Sequence, residues 1–222
     1  LSQAIASGDK IKVRRLTPDE GAALAIYVPA AALMSQTSDD VSAVYFVLAL
    51  ALDPELHVAR SLWAQSLSNA ERWDEAIGVL ARVPETSAFY ATSRGQIAWA
   101  LQRSGRSQSA LAVAAEALDH SPDRGLQIQI ADLYRAVGRQ EQAEALLTEI
   151  IRDDASHKRE DWRLFYARGV SRGELGDWPE GERDLLKALA LQPDDASLLN
   201  YVGYSYVDRG EHLDFAMDMI RR

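Results

Sequence analysis

Glu71-Arg72-Trp73-Asp74-Glu75-Ala76, Gly105-Arg106-Ser107-Gln108-Ser109-Ala110, Gly138-Arg139-Gln140-Glu141-Gln142-Ala143 and Gly176-Asp177-Trp178-Pro179-Glu180-Gly181 share one form, a turn followed by a small residue. The small residues fall 34, 33 and 38 positions apart, and Ala216 follows Gly181 by 35. A recurrence near 34 with one turn per copy marks stacked helix–turn–helix units, none of which can bury its apolar face alone. This pattern fixes an all-α architecture and leaves little room for a buried catalytic core.

With the small residue set at position 20 of a 34-position unit, repeats fall near 23–56, 57–90, 91–123, 124–161, 162–195 and 196–222, the last truncated. Residues 1–22, with Ser7-Gly8-Asp9-Lys10, then form an N-terminal leader or part of a preceding unit. Helix A of each repeat carries apolar residues at helical spacing: Leu62, Trp63 and Leu67; Ile97, Ala98 and Leu101; Ile130, Ala131 and Tyr134. Helix B does the same with Ala76, Leu80 and Val83; Ala110, Ala114 and Ala117; Ala143, Leu147 and Ile150; Gly181, Leu185 and Ala188. Small side chains at positions 8 and 20 let the two helices of a pair approach closely. Gly105, Gly138, Gly176 and Gly210 sit where helix A ends, and glycine takes the left-handed conformation that reverses the chain there. Pro54, Pro122 and Pro193 stop helix B, because proline cannot continue a helix.

These residues resemble the tetratricopeptide repeat (TPR) family. Repeat 162–195 matches it most fully, with Phe165, Gly169, Leu185, Ala188 and Pro193 at family positions, and Asn200-Tyr201-Val202-Gly203-Tyr204 with Tyr206 is similar to an Asn-Tyr-Leu-Gly-Tyr block of many bacterial TPR proteins. The resemblance runs roughly from Ala23 to Arg222. It implies a right-handed superhelical solenoid of antiparallel helix pairs, about five to six repeats long.

Departures from the pattern carry expectations of their own. Pro84 comes early and shortens its helix B; Pro29 sits inside a helix A and kinks it. Arg152 to Asp161 is a charged stretch that accounts for the 38-residue interval, read as a lengthened, solvated loop or extra turns of helix. Thr17-Pro18-Asp19-Glu20 is a helix start with an N-cap, Pro at N1 and acids in the first turn. The pairs Asp39-Asp40, Asp153-Asp154 and Asp194-Asp195 are read as helix-start caps.

The 222 residues carry a formal charge of −9, and 47 % are hydrophobic, which supports a continuous core. An acidic chain is a poor partner for phosphate backbones and anionic membranes, so nucleic-acid binding and membrane insertion are not expected. There is no Cys, which removes thiolate chemistry and Cys-ligated zinc and leaves open a bacterial cytoplasm or a periplasm/envelope. His57, His120, His157 and His212 share no helical spacing and are read as surface residues; no Gly-rich phosphate loop occurs. No cofactor, metal or catalytic residue is expected. The apolar run Val41 to Leu52 is too short to span a bilayer. The chain opens at Leu1, which suggests processing or a piece of a longer chain.

In TPR arrays helix A lines the inner groove. The resemblance carries that role onto Gln65 and Asn69 with Ser61 and Ser68; Trp99 and Arg103 with Thr92, Gly95 and Gln102; Ile128, Asp132 and Arg135; Arg163, Tyr166 and Val170; and Asn200, Tyr204 and Asp208. Arg and aromatic side chains anchor many binding surfaces, and amides hold extended backbones. Ser61, Gln65 and Gln96 depart from the Lys/Asn pattern of TPR carboxylate clamps, which puts that specificity aside. Trp63, Trp73, Trp178 and Tyr206 are read as structural, and Trp162 as packing at the start of its repeat. The expected function is a non-enzymatic scaffold that binds a protein or peptide. The alternative is an assembly module, or a fragment of a longer TPR protein, with Leu213, Ala216, Met217 and Ile220 as an open C-terminal helix edge.

Overall fold

The computed structural model describes residues 15–34, 39–120 and 123–221, and among them twelve helices and no strand. They are α1 (Pro18–Leu33), α2 (Asp39–Leu52), α3 (His57–Asn69), α4 (Trp73–Leu80), α5 (Tyr90–Arg103), α6 (Ser107–His120), α7 (Arg124–Ala136), α8 (Gln140–Ser156), α9 (Trp162–Glu174), α10 (Trp178–Leu191), α11 (Ala196–Arg209) and α12 (Leu213–Arg221). Two compact units divide the chain, Leu1–Ala100 and Leu101–Arg222, with the division inside α5. In unit 1, α1 packs on α2, α2 on α3 and α3 on α4; in unit 2, each helix from α6 to α12 packs on the next.

Local chemistry sets the helix ends. Thr17 closes a capping box on α1: its Oγ1 accepts from the Glu20 N–H at 3.2 Å, and Glu20 Oε2 accepts from the Thr17 N–H at 2.7 Å. That start puts the 22/23 boundary of the expected leader inside α1. Asp123, Asp161 and Asp195 cap α7, α9 and α11 through side-chain oxygens that accept backbone N–H groups. Each A helix of unit 2 closes on a left-handed glycine, with Gly138 at φ 73°, Gly176 at 86° and Gly210 at 69°. Glu71 stands in the same slot after α3 at φ 59°, where the stops of α5, α7, α9 and α11 have glycine. There the Arg72 N–H reaches Leu67 O at 2.8 Å and the Glu71 N–H reaches Ser68 O at 3.1 Å, the two bonds of a Schellman stop.

The expected small-residue contacts are present. A Cβ on Gly169 would lie 2.9 Å from the Gly181 carbonyl oxygen, and one on Gly203 would lie 2.9 Å from Ile220 Cγ1. Ala64, Ala76, Ala131, Ala143 and Ala216 are buried. α4 is the shortest helix at 8 residues, stopped ahead of Pro84, whereas α1 runs through Pro29 to Leu33. Pro122 and the 1–14 segment lie outside the described residues, as do the side chains of Asp39 and Asp40.

Four expectations need correction. The stretch from Arg152 takes the extra turn of helix allowed for it, carrying α8 to Ser156, so Asp153 and Asp154 end that helix and are not the helix-start caps expected. Asp154 is not solvated: its side chain is 3 % exposed, and the Arg124 guanidinium grips it through Nη2 at 2.7 Å and Nε at 2.8 Å while Arg159 approaches to 3.0 Å. His57 is buried at the start of α3, with Nε2 3.3 Å from Glu55 and its ring edge-on to Phe89. Ala216 is buried beneath α11, although Leu213, Met217 and Ile220 are exposed as expected.

Candidate functional site

The A helices of unit 2 bring one group of predicted residues together. On α7, Arg135 Nη1 donates to Asp132 Oδ1 at 3.2 Å. Tyr166 of α9 meets Tyr201 of α11 edge to face, with ring centroids 5.5 Å apart, and Trp162 adds a third ring 6.4 Å from Tyr166. Tyr166 and Tyr201 thus join α9 to α11, and the charge of Arg135 on α7 bears on both phenols. Asp132, Arg135, Ala136, Gln140 and Glu174 line a depression of about 310 Å³. Burial pushes the Tyr166 and Tyr201 phenols up from their ordinary value. Both therefore stay neutral near pH 7 and can bind through their ring faces and hydroxyls without serving as bases. Arg135 Nε and Gln140 Oε1 are buried with no hydrogen-bond partner, a donor and an acceptor in the same wall.

The other predicted residues lie elsewhere. Gln65 and Asn69 are exposed on α3 in unit 1 and bond to each other at 3.0 Å. Trp99 is half-buried in α5, and Arg103 is exposed at its end. Ile128 is half-buried on α7; Asn200 and Tyr204 are exposed on α11. Arg163 turns to its own helix start, 5.0 Å above the Trp162 ring and 3.8 Å from Asp161. Val170 belongs to the core with Leu185, Leu198 and Val202, because α11 closes over that face of α9.

Tyr201, Glu174 and Gln140 are the members of the group that sequence reading passed over. Tyr201 lies three residues before Tyr204, a spacing that shares a helix side, but it is half-buried against the core of α9–α12. A second unforeseen feature is a buried ionic group linking α8, α9 and α10. Arg168 binds Asp184 through two bonds of 2.7 Å, Arg172 Nη1 donates to Asp184 at 2.9 Å, and Arg172 Nη2 donates to Glu144 at 2.8 Å. Trp178 and Tyr206 hold the next junction as expected: their rings stand at 6.0 Å, Arg209 covers Trp178 at 4.0 Å, and the Tyr206 hydroxyl donates to Glu182 at 2.7 Å. Burial pushes the Tyr206 phenol far up. Among the described residues no group of three or more His, Asp or Glu side chains could hold a metal, and no helix is long and apolar enough to cross a membrane.

Antiparallel helix pairs with left-handed turns and matched small residues define a helical-repeat protein. No protein-family model matches the chain. It is 27 % identical over 120 residues to a TPR repeat-containing protein of Pseudomonas aeruginosa, covering 54 % of this chain and 20 % of that one. The chain therefore spans a fifth of that relative's length. Among solved structures it is similar to YrrB, a TPR protein with an unusual peptide-binding site, at TM-score 0.56 and 19 % identity over 78 % of this chain and 88 % of that one. It is also similar to MamA of Desulfovibrio magneticus RS-1, at TM-score 0.62 and 12 % identity over 82 % and 99 % of the two chains. A third likeness is to a chain of the APC/C hetero-tetramer Cut9-Hcn1, at TM-score 0.67 and 14 % identity over 92 % of this chain and 43 % of that one. In fold the chain is similar to tetratricopeptide-repeat proteins, an all-α architecture of stacked antiparallel helix pairs.

Proposed function

We propose that the chain is a non-enzymatic scaffold whose patch on α7, α9 and α11 binds a peptide or helix of a partner protein. The observation that carries this reading is the convergence of Arg135, Tyr166 and Tyr201 from three A helices beside the Asp132–Glu174 depression. Preformed aromatic rings cost little ordering on binding, and Arg beside them supplies a charged, directional donor. The peptide-binding site named for YrrB supports the same class of ligand.

A displayed library of random peptides, selected on the full chain, tests it. Selected peptides should lose about ten-fold or more in affinity for an Arg135→Glu/Tyr201→Ala variant that keeps its helical circular dichroism. Peptides that bind both forms alike would move the site elsewhere.

The assembly reading has its own support in Leu213, Phe215, Met217 and Ile220 of α12 and Tyr204 and Val207 of α11, all exposed. A wild-type oligomer that Phe215→Glu/Met217→Glu converts to monomer in sedimentation would favour it.

A further inference from the structure

α2 is apolar even where it faces away from α1 and α3. Ser42, Phe46, Ala49 and Leu50 are buried, yet Val41, Val44, Tyr45, Val47, Leu48 and Leu52 are exposed. Val41, Tyr45, Leu48 and Leu52 follow one another at steps of four, three and four, the spacing at which a second helix packs along a seam. Beside the seam, Ala25, Ile26 and Pro29 of α1 with Val41 and Tyr45 of α2 border a depression of about 370 Å³, room for a large apolar side chain. A patch of this kind on a soluble protein marks an interaction surface.

Charge decides what fits. No charged residue lies between Asp40 and Asp53, and acids stand at both ends of the stripe in sequence: Asp39 and Asp40 before it, Asp53 and Glu55 after it. Pairing with a second copy of α2 opposes acids to acids in either direction. Parallel helices set Asp39 and Asp40 against themselves, and antiparallel helices set them against Asp53 and Glu55. The chain as a whole, at −9, adds to that repulsion.

We infer that the α1–α2 face docks an amphipathic helix of another protein, with apolar residues three and four apart and Lys or Arg at both ends. The stripe from Val41 to Leu52 is roughly 17 Å long at helical rise, so about three turns of the partner lie along it. One large apolar side chain of that partner fills the depression, and its basic ends complement the acids that flank the stripe in sequence. This surface belongs to unit 1 and shares no residue with the patch proposed in unit 2, so either can fail without the other.

The probe is a fluorescent peptide of about 18 residues with Leu along one 3–4 stripe and Lys-Arg at both ends, beside a twin with Glu at both ends. Binding to the full chain is read by anisotropy. The basic-ended peptide is expected to bind at least about ten-fold tighter than its twin, with the ratio shrinking as salt rises from about 50 to about 500 mM. Tyr45→Glu/Leu48→Glu, at exposed positions, should weaken it about ten-fold or more, whereas Phe215→Glu on α12 should bind like wild type. Equal binding of both peptides, or full binding by the double variant, overturns the inference. So does a wild-type dimer that the double variant breaks, which gives the face to a second copy. Vesicles of phosphatidylcholine and phosphatidylglycerol that capture wild type but not the double variant, with no peptide binding, give it to lipid instead.

Discussion

Gly169 and Gly181 forbid each other a side chain. A Cβ on Gly169 would stand 2.9 Å from the Gly181 oxygen, and one on Gly181 would stand 2.8 Å from the Gly169 oxygen and 3.2 Å from the Gly173 nitrogen. Backbone cannot yield there as a side-chain tip can. Gly181→Ala should therefore destabilise unit 2 by about 2–3 kcal/mol. Gly203→Ala, whose nearest obstacle is the Ile220 side chain, should cost less. Denaturant titrations of the two variants give the ranking; equal losses would refute the backbone clash.

Glu71 holds a left-handed conformation that the other A-helix stops of this series assign to glycine. Its Cβ strain is released by Glu71→Gly, while the Schellman bonds from Arg72 and Glu71 remain. The variant should gain about 0.5–1 kcal/mol, a rise of roughly 2–8 °C in the melting of unit 1. Glu71→Val, β-branched at positive φ, should move the midpoint the other way.

Asp154 is stabilised as the anion mainly by its bonds to Arg124, which hold its carboxyl below the usual carboxylate range. A depressed folded pKa gives stability that is complete above the unfolded value, about 3.9, and lost as pH falls through the folded one. Asp154→Asn should cost about 2 kcal/mol at pH 7. The gap to wild type should narrow below about pH 4 and close once the folded carboxyl is protonated. A gap that stays constant down to acid unfolding would show that the pair contributes no proton-linked stability.

Asp184 receives three short bonds from Arg168 and Arg172 in the interior. Asp184→Asn leaves two guanidinium groups there with Glu144 as their remaining carboxylate at hydrogen-bond distance, and should cost about 3 kcal/mol. Hydrogen exchange should report the loss first in α8, α9 and α10. Uniform loss across both units would contradict a local role.

Much of the fold was legible because its rules are local. Glycine at a helix stop, a small residue where two helices touch and an Asp ahead of an A helix each act within a few residues of chain. Asp154 misled for the same reason: an acidic pair in a charged run looks like a cap unless one knows that α8 continues for another turn. Arg168 and Asp184 are 16 residues apart and Arg172 and Glu144 are 28 apart, so their pairing depends on the rotation of three packed helices. Val170 shows the same limit, since a groove position by count became core once α11 lay over it. In the proposed patch, Arg135 and Tyr166 are positions that the repeat count also singles out, whereas Tyr201 meets Tyr166 only through the phase of α11, which the repeat count does not carry.

The Arg168–Asp184 group also divides the molecule by its response to salt. Dissolved ions screen pairs that water reaches, such as Arg72 with Glu75 and Arg183 with Glu180, whose side chains stand largely in solvent. The α8–α9–α10 pairs are mostly shut away from those ions. In concentrated brine the surface attractions fade while those of this joint persist, so the stretch around α9 keeps the charge contribution that salt removes from the exposed pairs.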